Sequence, residues 1–139
     1  LKNRDISKGF ILLASDIGYL LPYIDSQMSE DLLEQISIPS KNPTTFLVPK
    51  SEELSPMLAG SNELLAVRIT PNPLIKFFCE TADSALISTS ANLQGKQVAK
   101  TKRELRSYFG NQLDYALPPS GYNSEPSRII NLITGERIR

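Results

Sequence analysis

The chain contains no histidine and no tryptophan, and Cys79 is its single cysteine. The first absence excludes Ser-His and Cys-His nucleophilic catalysis and every imidazole-based metal site, and one thiol cannot replace them with a cysteine cluster. One cysteine also excludes an intrachain disulfide, and its setting, Phe77-Phe78-Cys79, reads as a buried free thiol. An excess of charge of one sign is missing too. Fifteen basic and fifteen acidic residues leave no net charge, which removes the usual electrostatic footprint of a dedicated nucleic-acid binder but not a local basic groove. No apolar run approaches the ~18 residues that cross a bilayer, and no signal-peptide pattern appears. The expectation is a cytoplasmic chain without membrane contact.

What is present reads as one domain by length, residues 1–139, large enough to bury about two thirds of its unfolded surface. Gly9 to Ala14 is a continuous apolar run suited to a strand buried on both faces. Ser15 is placed to cap a short helix ending near Pro22. Met28 to Ile36 reads as a helix, with Ser29 as N-cap ahead of Glu30 and Asp31. Thr45–Val48 and Leu64–Thr70 read as strands, with a short helical turn over Ser51–Leu58 between them. Asn72-Pro73 starts a helix to about Thr81, with Leu74, Phe77 and Phe78 expected inward. Ala85–Ser88 is a further strand, and Thr101-x-x-Glu104 is a capping box for a helix ending near Gly110. Leu113–Leu117 is expected as a strand and Pro118–Pro126 as a loop. Arg128–Leu132 and Glu136–Arg139 are expected as strands around a Thr134-Gly135 turn. Strands alternating with helices imply an α/β sheet, mixed because of that closing turn.

Two clusters carry chemistry. Ala85-Leu86-Ile87 runs into Ser88-Thr89-Ser90-Ala91-Asn92, as a strand does when it delivers hydrogen-bonding groups to a sheet edge, where open α/β sheets bind ligands. A turn stabilised by its own Ser, Thr and Asn side chains is the plainer reading of the same residues. Lys2, Arg4 and Lys8 place three cations within seven residues, a set that suits phosphates; a solvated basic terminus is the alternative.

Taken together, Lys2-x-Arg4 and Ser90-x-Asn92 resemble the K-x-R…S-x-N signature of the YrdC-like family, whose members make threonylcarbamoyl-adenylate for the t6A modification of tRNA. The resemblance spans nearly the whole chain. Leu1 to Gly9 is similar to the family's K-x-R-P-x-x-K-x-L segment, Pro43–Val48 to its PGP-x-T strand entry, and Leu65–Pro73 to its VAVR-x-P-x-HP segment. Ser88–Gly95 is similar to STSAN-x-SG, and Pro126–Asn131 to the closing PST-I-VD, with Arg139 at the family's final arginine. The chain departs from the pattern at Lys41-Asn42 (the PG of PGP), Asn72 (the histidine of HP), Gln94 (the serine of SG) and Gln97 (a following proline).

The fold implied by the resemblance is a YrdC/RibB-like twisted open mixed β-sheet flanked by helices. The implied reaction joins L-threonine, bicarbonate and ATP: threonine carbamate attacks the α-phosphate and pyrophosphate leaves. No covalent catalyst and no protein-held metal is implied, only alignment and neutralised charge, with Mg²⁺ accompanying ATP. By the family's pattern, Lys2, Arg4, Lys8, Thr45, Asn92 and Arg139 bind ATP and its phosphates, and Ser90, Ser127 and Arg68 bind threonine. Family members also carry an upstream strand and helix with a Pro-Thr-Glu segment lining the threonine site. The chain opens at Leu1 with its cationic cluster in the first eight residues, so the expectation is an N-terminally truncated domain. Transient partners implied are the proteins of the t6A transferase complex, with tRNA or double-stranded RNA as further partners. Two other roles stay open, a non-catalytic RNA-binding or ribosome-maturation module and a nucleotide-binding scaffold.

Overall fold

The computed structural model describes residues 9–39, 42–118 and 126–139. These fall into two compact units, the larger drawn from residues 9–88 and 126–139 and the smaller from 89–118.

The larger unit is built on one open five-stranded sheet. Its strands are β1 (Ile11–Ala14), β2 (Thr44–Pro49), β3 (Leu64–Ile69), β4 (Leu86–Ser88) and β5 (Arg128–Asn131), in the order β4-β1-β3-β2-β5. β1 is parallel to β3 and β2 to β5, whereas β1–β4 and β2–β3 pair antiparallel. The mixed α/β sheet expected from the sequence is therefore present, but its mixing comes from those two antiparallel pairs. The closing segment adds only the single bridge Ile130–Arg137 where a strand over Glu136–Arg139 was expected.

Strand alternation gives the sheet two unlike faces. Leu12, Ala14, Val48, Leu65 and Val67 lie on one face and are at most 2% exposed. Ile11, Leu13, Leu47, Ala66, Arg68, Leu86 and Ser88 lie on the other and are only half-buried, so β1 is fully buried on one face and not, as expected, on both. The covered face is the core, closed by Leu20, Ile24, Ile36 and Cys79. Gly9 leads into β1 with φ +58, where a Cβ would run into the carbonyls of Leu58 and Ala59, while Phe10 N donates to Leu58 O at 2.8 Å.

Two of the helices that cover the core start where a side chain satisfies their first N–H groups. α1 (Glu30–Ser37) is not one of them: Ser29 stands at its N-cap position but makes no side-chain capping bond, and the helix has Glu30 and Asp31 in its first turn and buries Ile36. α2 (Pro56–Ala59) starts from Ser55, later than the turn expected over Ser51–Leu58. α3 (Pro73–Ala82) is capped by Asn72, whose Oδ1 accepts from Leu74 N at 2.9 Å and Ile75 N at 3.4 Å. Asn72→Ala is expected to lower stability by about 1 kcal/mol, read as a fall in the urea midpoint; an unchanged midpoint would mean the cap is redundant. In the smaller unit, α4 (Lys102–Phe109) has the expected capping box. Glu104 Oε2 accepts from Lys100 N at 2.7 Å and Thr101 N at 3.1 Å, which holds its carboxyl below the usual glutamate range.

Three further expectations are corrected. The first helix becomes two 3-10 turns, Ile17–Tyr19 and Leu21–Tyr23, and the cap is Asp16, not Ser15. The carboxylate accepts from Gly18 N at 2.8 Å, a bond that a longer side chain reaches better than a serine one residue earlier. Residues 113–117 form no strand; Tyr115 and Leu117 are 76% and 50% exposed, so no apolar face there has burial to gain. On α3, Leu74, Phe77 and Phe78 are 38%, 58% and 40% exposed while Cys79 is fully buried. Ile75 and Cys79, four apart, form the inward stripe instead.

Candidate substrate site

In the smaller unit the chain leaves β4 into a loop braced by its own side chains. Ser90 Oγ donates to Asn92 Oδ1 at 2.6 Å, and Asn92 Nδ2 donates to the Lys96 carbonyl at 2.7 Å. Ala99 N donates to Ala91 O at 2.8 Å and Lys96 N to Leu93 O at 3.0 Å. Gly95 supports the reversal with φ +77, a conformation L-residues avoid. Ser90 and Asn92 are thus brought together, and the plain-turn chemistry of this stretch and its candidate ligand groups are the same atoms. Lys96 was not singled out from sequence. It matters through its carbonyl, which leaves no residue-type signal.

In the larger unit, β2 and β5 bring a second group together. Thr45 is fully buried and Ser127 is 8% exposed, and their hydroxyls share a hydrogen bond of 2.8 Å. The parallel register that sets Thr44 beside Arg128 explains the meeting. Arg139 closes on the same point, donating from Nε and Nη2 to the Ser127 carbonyl at 3.2 and 3.1 Å. The charge-assisted fork leaves Ser127 held from both sides.

Arg68 belongs to the half-buried face. Phe46 and Val67 are cross-strand partners, so Thr45 and Arg68, one residue beyond each, share the opposite face. The Arg68 side chain has no hydrogen-bonded or ion-paired partner among the described residues. Partial burial lowers its pKa by removing water from the guanidinium. A cation in that condition favours an anion that restores its lost solvation. Arg68 also lines a cavity of about 230 Å³ with Ile38, Pro43, Phe46, Thr70 and Pro71.

A second cavity, about 600 Å³, holds none of the sequence-predicted residues. Asp16, Glu80 and Asp83 line it against one cation, Lys76, which pairs with Glu80 at 3.8 Å. Desolvation, then the negative charge of Glu80 and Asp83, raises the Tyr19 pKa at its wall. Phosphates are repelled from such a lining. Of the predicted residues, Lys2, Arg4 and Lys8 lie outside the described residues.

Comparison with known proteins places the chain. A family model described as "Telomere recombination", covering Sua5, YciO and YrdC proteins, matches residues 1–139. A threonylcarbamoyl-AMP synthase of Nitrosococcus oceani is 42% identical over 144 aligned positions, which take in all of this chain and 75% of the relative. Among solved structures, P. abyssi Sua5 in complex with L-threonine superposes with a TM-score of 0.80 at 19% identity, over 95% of this chain and 39% of that protein. E. coli YciO superposes with a TM-score of 0.70 at 19% identity, over 94% of this chain and 63% of its own. The full-length family match, the identity to a synthase and the mixed open sheet agree: the chain belongs to the YrdC-like family of threonylcarbamoyl-AMP synthase homologues.

Proposed function

We propose that this domain performs threonylcarbamoyl-AMP synthesis, joining L-threonine, bicarbonate and ATP with release of pyrophosphate, for t6A modification of tRNA in the cytoplasm. The observation that carries the reading is identity to a threonylcarbamoyl-AMP synthase across the entire chain. The chemistry of the side chains supports it. Threonine carbamate attacks the α-phosphorus in line, the bond to the bridging oxygen breaks, and pyrophosphate departs. That step needs alignment and charge neutralisation more than a covalent catalyst.

In this reading Lys2, Arg4 and Lys8 grip the phosphates, with Asn92, Thr45 and Arg139 completing the nucleotide side. Ser90 and Ser127 hold threonine by hydroxyl contacts, and Arg68 takes its anionic end. In the same reading Mg²⁺ arrives with the ATP phosphates. The product passes to the t6A transferase complex.

The test is pyrophosphate release with each co-substrate withheld in turn. Release is expected only with threonine and bicarbonate both present, and Arg4→Ala is expected to reduce it by 10²-fold or more. ATP turnover indifferent to threonine would overturn the reading in favour of a nucleotide-binding scaffold. Salt-sensitive binding of tRNA or double-stranded RNA without turnover would favour an RNA-binding module.

A further inference from the structure

We propose that Arg139 is a positioning residue for the threonine half of the reaction, acting through the Ser127 carbonyl on the buried Thr45–Ser127 hydroxyl pair. The inference rests on the reading of Ser127 as a threonine contact and goes beyond the nucleotide role given to Arg139.

Both ends of Arg139 attach to one short step of the chain. Its side chain donates twice to Ser127 O. Its backbone carbonyl accepts from Ile129 N at 3.0 Å, and the preceding Ile138 N donates to Ile129 O at 2.8 Å. On the far side Arg128 N donates to Pro43 O at 2.9 Å. The peptide carrying the Ser127 carbonyl is therefore held between β2 and residues 138–139. Fixing that carbonyl restricts the backbone rotation that swings Ser127 Oγ, and Oγ is then held 2.8 Å from the fully buried Thr45 Oγ1. A serine that loses this constraint keeps its hydroxyl but not its aim, and loosely held contact groups lose much of their effect. The residue that settles threonine geometry is then an arginine that need not touch threonine.

Arg139→Lys keeps the charge and removes the fork; Arg139→Ala removes both; Arg128→Ala, an exposed neighbour, is the control. With ¹³C-methyl-threonine labelling, the Thr45 γ-methyl resonance is expected to move in both Arg139 variants and stay in the control. An unmoved signal in Arg139→Ala overturns the proposal, whatever the activity. In turnover, Arg139→Lys is expected to raise KM for threonine about tenfold with KM for ATP changed less than twofold. A rise confined to KM for ATP overturns it in favour of a nucleotide contact alone. If the unsubstituted protein releases no pyrophosphate, the synthase reading fails and the methyl signal still decides whether Arg139 aims the hydroxyl pair.

Discussion

Gly9→Ala is expected to destabilise the larger unit by about 2–5 kcal/mol, the sum of a left-handed backbone held by an L-residue and of overpacking against fixed atoms. The added Cβ falls 2.6 Å from Ala59 O, 2.9 Å from Ala59 C and 3.0 Å from Leu58 O. All three are backbone atoms. Leu58 O also accepts the Phe10 N–H at 2.8 Å, so it cannot retreat without breaking the bond that seats the start of β1. Gly135→Ala is the matched control: φ is +70, and nothing lies within 4 Å of its new Cβ. It bears the backbone penalty alone, about 1–2 kcal/mol. Urea unfolding measures both, with slopes of about 1–3 kcal/mol per molar. Equal losses at the two positions would show that the contact with α2 yields, contrary to this account.

Asn92→Asp is expected to lower kcat/KM for ATP by about 10²-fold, the scale of a misplaced binding group. The change is nearly isosteric and keeps the acceptor used by Ser90 Oγ at 2.6 Å. It replaces the donor aimed at Lys96 O at 2.7 Å by a carboxylate oxygen facing a carbonyl, and the loop must open to separate them. The new charge also repels phosphates. Lys96→Ala retains the carbonyl and is expected to stay within about threefold of the parent. Pyrophosphate-release kinetics distinguish the two. An Asn92→Asp enzyme as active as Lys96→Ala would remove this loop from the nucleotide site.

The features legible in the sequence were those set by neighbouring residues. The Asn72-Pro73 start, the Thr101–Glu104 box and the apolar run of β1 each carry their cause within about one helical turn or a few strand residues. The SxN loop belongs with them, because Ser90 and Asn92 bond each other. What was not legible depends on distant partners. Nothing near Leu113–Leu117 shows that no strand awaits it, and nothing within α3 shows which of two apolar stripes meets the sheet. Thr45 and Ser127 could be chosen by family resemblance, but their shared hydrogen bond follows from the β2–β5 register. The bond from Arg139 to a carbonyl left no trace in residue type at all.

That register has a consequence for how the protein comes into being. Thr45 and Ser127 are 82 residues apart, and translation proceeds at about 5–20 residues per second. A nascent chain therefore presents β2 for roughly 4–16 s before the serine is even made. Throughout that interval one edge of β2 carries unpaired backbone groups, the kind of edge that recruits foreign strands, and the Thr45 hydroxyl waits without its partner. The segment that brings Ser127 to Thr45 leads directly into β5, the strand that closes this edge. The buried hydroxyl pair and the protection from misassembly thus arrive together.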